Sequence, residues 1–287
     1  SLQNGYPKKP VTANAKISSA PACALMTNGK PCENKGMVKP TRNRTIRGLF
    51  SMLMACLLLA IMGSCVFAVT LLDTPTEAPV VSFVRVAVNL LIVSWPAIGK
   101  GQLRSLLGDL RPSLWLRGLF GGVSLMLSFA AIQRIGPGES AFLTASSGLF
   151  VAALSPWVLS QRNRWLDWLA IMGSMVGLYL LFQPGQAPAD MTGRWMGIGS
   201  GILAALAYLM IARAGRSNSP RTVVFYFSFV ATLLHGVWFT WQRPVWPVDG
   251  IAWGLILFAG IAGSAAQYCL TRAYQLAPAT LVSAVAY

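Results

Sequence analysis

From Gly48 onward the chain alternates between long apolar runs and short polar connections. Uncharged or nearly uncharged stretches occupy 49–72, 79–98, 114–133, 140–160, 166–182, 195–212, 222–241 and 251–271. A ninth opens near Pro278 and is cut off at Tyr287. Most are long enough to cross a hydrocarbon core, which takes roughly 20 helical residues. In lipid a backbone must satisfy its own hydrogen bonds, so such runs predict helices rather than open strands. Tryptophans gather near the proposed ends (Trp115, Trp165, Trp168, Trp195, Trp241, Trp246 and Trp253), as expected at headgroup level. Residues 1–46 read differently. They are rich in Lys, Pro, Asn, Ser and Thr without an apolar period, which predicts a disordered basic tail. That tail lacks the apolar core and cleavage site of a signal peptide. With no starting Met and a cut-off ninth span, the chain is expected to be a fragment lacking a tenth helix.

Composition supports the same class. Of 287 residues, 55% are hydrophobic and 11% charged, where a soluble domain carries about 25% charged residues. There is too little charge to wet an ordinary soluble surface. The net charge of +15 is uneven: nine of the 23 bases lie in residues 1–47, against Glu33 alone. Without interleaved aromatics, this basicity does not predict a nucleic-acid partner. Placing the tail in the cytoplasm gives the inner connections Lys100, Arg104, Arg111, Arg162, Arg164, Arg213, Arg216, Arg221 and Arg272. The outer ones keep only Arg134, Arg194 and Arg243, with Asp73, Glu77, Glu139, Asp190 and Asp249. That bias obeys the positive-inside rule and predicts an integral inner- or plasma-membrane protein with a cytoplasmic N-terminus. Cys23, Cys32, Cys56, Cys65 and Cys269 form no CxxC pair, and one histidine cannot complete a zinc site with them. Cys23 and Cys32 are spaced for a disulfide, but on the reducing side both stay thiols.

The chain also echoes itself. A shift of 141 residues lays Gly122 on Gly263, Pro137 on Pro278 and Ala145 on Ala286. Five spans separate the copies, so the second lies inverted in the membrane, the architecture of alternating-access carriers. The expected fold is therefore an all-α polytopic membrane protein with an inverted 5+5 helix repeat. The first repeat is 47–183 and the incomplete second is 195–287.

Four segments carry a more specific likeness: FVRVAVNLL (Phe83–Leu91), RGLFGG (Arg117–Gly122), RIGPGESAFLTASSGLF (Arg134–Phe150) and AYQLAPATLVSAVAY (Ala273–Tyr287). They resemble the EamA-type carriers of the drug/metabolite transporter superfamily over about residues 47–287. The resemblance implies ten helices in two inverted halves and favours export of a small metabolite or drug-like solute, with protons as one coupling ion. The chain has Gly148 where the family often has proline. It reads Ser160-Gln161-Arg162 where helix four often ends in Gly-Glu-Arg.

Polar residues inside the spans are the candidate chemistry, and each has two readings. Arg85 lies about two turns into its span, where a charge costs at least about 2.5–3.5 kcal/mol. It either snorkels or locks packing, or it serves as a cavity cation for an anionic or zwitterionic substrate. Ser82 and Asn89 share its helical face, and the 141-residue shift places Tyr226 on it. Glu139 is either a first-turn acid favoured by the helix dipole or a titrating carboxylate that couples protons or pairs with Arg85. His235 is either a hydrogen-bonded core residue or a proton relay. Gln133, Thr144, Ser146, Ser147, Gln267, Tyr268 and Tyr274 either line a pocket or bridge helices. The substrate-binding candidates are thus Arg85, Asn89, Glu139, Thr144, Tyr226, Gln267 and Tyr268; the proton-coupling candidates are Glu139 and His235. The pairs Gly118–Gly122, Gly173–Gly177 and Gly197–Gly201 are read first as close-packing faces.

No Ser/His/Asp set, metal cluster, P-loop or GxGxxG is present in the sequence. No catalytic residue, metal or cofactor is expected. The leading reading is a secondary transporter whose partners are a small-molecule substrate and membrane lipids, with a homodimer as an open alternative to a monomer. The other readings are a polytopic enzyme acting on lipid, and a scaffold or sensor docking through its basic tail.

Overall fold

The computed structural model describes residues 42–72, 76–99, 101, 104–160, 163–182 and 190–286. Helices dominate these segments: α1 (Arg42–Thr70), α2 (Ala78–Gly99), the short α3 (Arg104–Leu107), α4 (Pro112–Ala145), α5 (Ser147–Leu159) and α6 (Trp165–Phe182), then α7 (Met191–Ala214), α8 (Pro220–Trp241), α9 (Gly250–Leu276) and α10 (Ala279–Val285). Seven helical stretches among the described residues are long and apolar enough to cross a membrane. The expected span at 166–182 coincides with α6. The expected tail lies outside the described residues up to Thr41, but its last positions are already helical, because α1 opens at Arg42.

Local chemistry sets several boundaries. Asp190 caps α7 by accepting from the Gly193 amide at 3.1 Å, and Ser219 caps α8 ahead of Pro220 at its first position. Both satisfy amides that a helix start leaves unpaired. Inside α4 the backbone breaks at Gly136, whose φ of +80° suits a residue without Cβ. The break splits α4 into two arms. Moved along by the 141-residue shift, Gly136 falls on Ala277, where α9 gives way to α10. The same shift lays α2 on α8 to within one residue.

Packing repeats that relation. α1 lies along α9 as α7 lies along α4, α2 packs on α9 as α8 packs on α4, and α2 packs on α8. Exchanging the two halves leaves this set of contacts unchanged.

The bundle is apolar outside, and its apolar interior also encloses polar side chains. Trp157 (82% exposed), Trp95 (77%) and Phe50 (65%) stand on the surface, while Ser82, Asn89, Arg117, Glu139, Ser200 and His235 are buried. A water-soluble surface rarely exposes so much contiguous apolar area. Lipid is the solvent that suits it.

Polar bonds group the connections at two ends. At one end Asp109 accepts from the Ser217 hydroxyl at 2.7 Å and from Asn218 Nδ2 at 2.8 Å, and Arg216 donates to the Leu159 carbonyl. At the other, Arg134 pairs with Asp190 at 3.1 Å, and the Val245 amide donates to Glu77. Ser217 first, then Asn218 and the Arg111 amide, hold the Asp109 carboxyl below its ordinary value. The Gly193 amide and then Arg134 do the same for Asp190.

Candidate functional site

Two adjoining chambers lie inside the bundle. The smaller, about 190 Å³, is walled by α1, α2 and α4 from one half and by α7, α8 and α9 from the other. The larger, about 470 Å³, lies among α1, α4, α5, α7, α9 and α10. Leu59, Ser128, Thr144, Tyr208 and Leu270 line both, so the two share a wall. Ligand sites typically occupy about 300–1,000 Å³.

Arg117 and Arg85 define the smaller chamber. Arg117, on the first arm of α4, is 3% exposed. Its guanidinium lies 4.4 Å from the Phe227 ring centroid, and Nη2 donates to Gln267 Oε1 at 3.3 Å. Its Nε is buried without a partner. Gly121, one turn along α4, leaves room for this head; a methyl there would collide with Arg117 and approach the Phe227 ring to 2.9 Å. Arg85, on α2, passes over Gly263 of α9, where a Cβ would sit 3.0 Å from its Nε. It lines the chamber without a hydrogen bond or ion pair among the described residues. The hydroxyls of Ser124 and Ser200 are occupied, each donating to the other's carbonyl across the α4–α7 contact.

The remaining candidates separate sharply. Thr144 lines both chambers with its hydroxyl unpartnered, and Gln267 lines the smaller one beside Arg117. Tyr274 and Ser147 reach the larger chamber. Tyr226 reaches neither. It is buried against Trp115 and Phe225, and its hydroxyl donates to the Leu107 carbonyl at 3.0 Å. Asn89 is buried outside both linings with Oδ1 unpartnered, and Tyr268 turns outward from α9. The side chain of Gln133 lies outside the described residues.

His235 is a core residue. Its Nδ1 faces the Ala231 carbonyl at 2.8 Å, so Nδ1 carries the proton and Nε2 accepts from the Ser82 hydroxyl at 2.9 Å. Phe83 and Phe239 pack around the ring. Glu139 pairs with Arg194 of α7 at 2.5 Å rather than with Arg85. Its second carboxylate oxygen is buried without a partner. Among the described residues no group of three His, Cys, Asp or Glu is placed to hold a metal.

Residues 46–183 and 191–287 each match the EamA-like transporter family. The chain belongs to that family. Among its EamA relatives, the pseudopaline exporter CntI of Pseudomonas aeruginosa is 30% identical over 177 residues, 61% of this chain and 62% of that one. The matched segment thus spans about three-fifths of the exporter's length. An uncharacterized transporter of Helicobacter pylori is 25% identical over 253 residues, covering 86% of this chain and 84% of its own. Human solute carrier family 35 member G1 is 24% identical over 179 residues, 57% of this chain and 48% of its own. A crystal structure with 17% identity superposes with a TM-score of 0.67 over 84% of this chain and 83% of that one, which shows a shared fold.

The two matched EamA segments account for the exchange of helix contacts between the halves. They do not single out the residue that sequence reasoning missed, Arg117. In the sequence it stands only as the first residue of RGLFGG, beside a glycine face. The usable signal was Gly121 one turn away, whose missing side chain leaves space for the Arg117 head.

Proposed function

We propose that the chain is a secondary transporter that carries a small-molecule solute across the inner or plasma membrane by alternating access, outward from the cytoplasm. Residues 47–183 and 195–287 act as two inverted repeats, with the N-terminus cytoplasmic. One observation carries this reading: a polar chamber walled by three helices from each half, inside a bundle whose outer surface is apolar. A site at the junction of two halves is exposed to one side or the other as the halves rock.

The ends of the bundle supply the moving parts. Arg134–Asp190 and Arg194–Glu139 tie α4, on either side of its Gly136 break, to the first turn of α7. Opening at that end separates both pairs, while the Asp109–Ser217–Asn218 cluster holds the opposite end. The positive-inside bias supports a cytoplasmic location for that opposite, base-rich end. The relatives named as exporter and solute carrier support transport as the activity.

Purified protein in liposomes tests the reading. A mixed metabolite panel is loaded inside, and efflux is followed by mass spectrometry with and without a pH gradient. The expected result is saturable loss of a subset of solutes, abolished by Ser128→Trp, which fills the junction of the chambers. Efflux no faster than from protein-free liposomes for every solute overturns it.

A further inference from the structure

The smaller chamber holds two arginines and no acid. Arg85 of α2 and Arg117 of α4 both line it, and no carboxylate is among its lining residues. The acids among the described residues are engaged elsewhere. Glu139 is held by Arg194, Asp190 by Arg134 and Asp109 by Ser217 and Asn218. Glu77, Asp167 and Asp249 accept from backbone amides at connections. A protein that only needed to neutralise these cations would have placed one of its own carboxylates beside them, because a buried unpaired charge is costly.

The donor geometry narrows the acceptor. Phe227 lies against the Arg117 guanidinium and Gln267 takes Nη2, while Nε is buried without a protein acceptor. A guanidinium edge presents parallel donors that fit a planar two-oxygen acceptor better than a point charge. Arg85 adds a second unpartnered guanidinium on the same chamber. An ammonium, by contrast, finds no carboxylate there.

The neighbouring chamber holds no charged side chain and is more apolar. Met52, Met62 and Ile132 line it beside serine and threonine hydroxyls, and Tyr208, shared by both chambers, stacks on Tyr274 with centroids 5.0 Å apart. A cationic pocket adjoining a more apolar and aromatic one suits a molecule with an anionic head and an apolar body.

We infer that Arg85 and Arg117 together bind the carboxylate of an amphipathic organic acid lacking an amine, with its apolar body in the larger chamber beside Tyr208 and Tyr274. This rests on the carrier reading and names its substrate class. Arg117 is the fixed member of the pair, clamped by Phe227 and Gln267. Arg85 is the adjustable one, closing on the head from α2.

Calorimetric titration of the full chain in lipid nanodiscs tests this with 3-phenylpropionate, its amide, 3-phenylpropylamine, L-phenylalanine and 2-phenylethylphosphonate. Expected is binding of the acid at least tenfold tighter than of the amide, the amine or the amino acid, and tighter than of the phosphonate. Arg85→Gln and Arg117→Gln should each weaken the acid at least tenfold, and the double variant should bind acid and amide alike. Failure of the acid to bind, equal affinity for acid and amide, preference for the amine, amino acid or phosphonate, or discrimination that survives in the double variant each overturns the proposal. The wild-type comparison of acid with amide stands even where a variant does not fold. Flux in liposomes separates the two readings. Arginine-dependent acid binding without flux sinks the carrier and leaves the anion site, while flux indifferent to the carboxylate does the reverse.

Discussion

Glu139 is 8% exposed and forms one ion pair, with Arg194. Removing that partner strands a buried carboxylate, whereas Glu139→Gln leaves nothing charged to strand. Arg194→Ala is therefore expected to lower stability by about 1–3 kcal/mol, after discounting for the partly exposed arginine, and Glu139→Gln by clearly less; thermal unfolding in detergent measures both. The Asp109 and Asp190 carboxyls sit at the bundle's ends with folded values below their unfolded ones. Their contribution is present above about pH 4, the ordinary Asp range, and fades as pH falls through the depressed folded values. The Asp109→Asn, Asp190→Asn double variant should show a flatter decline of Tm below pH 4 than the wild type. Gly121→Ala pushes a methyl into the Arg117 head. Displacing that head should weaken carboxylate binding roughly tenfold, the worth of one charge-assisted hydrogen bond, as read by the same titration.

At the scale of the element, glycine spacing alone proved ambiguous. Gly118–Gly122 and Gly197–Gly201 do pack closely. A Cβ at Gly118 would meet Val230 of α8 at 2.7 Å, and one at Gly201 would meet Ser146 Oγ at 2.8 Å. Gly173 and Gly177 of α6 have no neighbour within 4 Å. The same motif is thus a helix contact on α4 and α7 but an open face on α6. Gly201→Ala should cost about 1–3 kcal/mol through overpacking, while Gly177→Ala should leave Tm unchanged or raised, since alanine is the better helix former. Gly136 has open space for a methyl yet a φ of +80°. A loss of stability in Gly136→Ala would come from the backbone alone, at about 1–3 kcal/mol.

Across the whole molecule, the polar bonds decide which connections share an end. Arg216 reaches the Leu159 carbonyl and Asp109 accepts from Ser217, which puts the end of α5, the 108–111 connection and the 215–219 connection together. Single cysteines in a cysteine-free background give the test. Positions 164 and 217 should react with an impermeant maleimide only from the cytoplasm, and positions 191 and 248 only from outside. Reaction of 164 and 217 from opposite faces would refute the arrangement.

The helical class, the place of nearly every span and the internal repeat were legible in the residues themselves. Lipid imposes a single requirement on a backbone, so twenty apolar residues in a row leave one solution. The break at Gly136 and Ala277 was also readable, because the 141-residue shift overlays the two turns. Arg85, Thr144 and Gln267 were recognisable as polar residues inside spans and do line the smaller chamber. What sequence could not decide was direction around each helix axis. Tyr226 and Arg85 correspond in the repeat, yet Tyr226 turns to Leu107 and Arg85 to the chamber. Glu139 could be matched with any nearby cation until α7 brought Arg194 against it. Arg117 was not among the candidate site residues, and only the packing of Phe227, Gln267 and Gly121 around it shows its place. Span position is a one-dimensional property of hydrophobicity, whereas a charge's partner is set by which helices meet and at what rotation, and only the packed bundle fixes that.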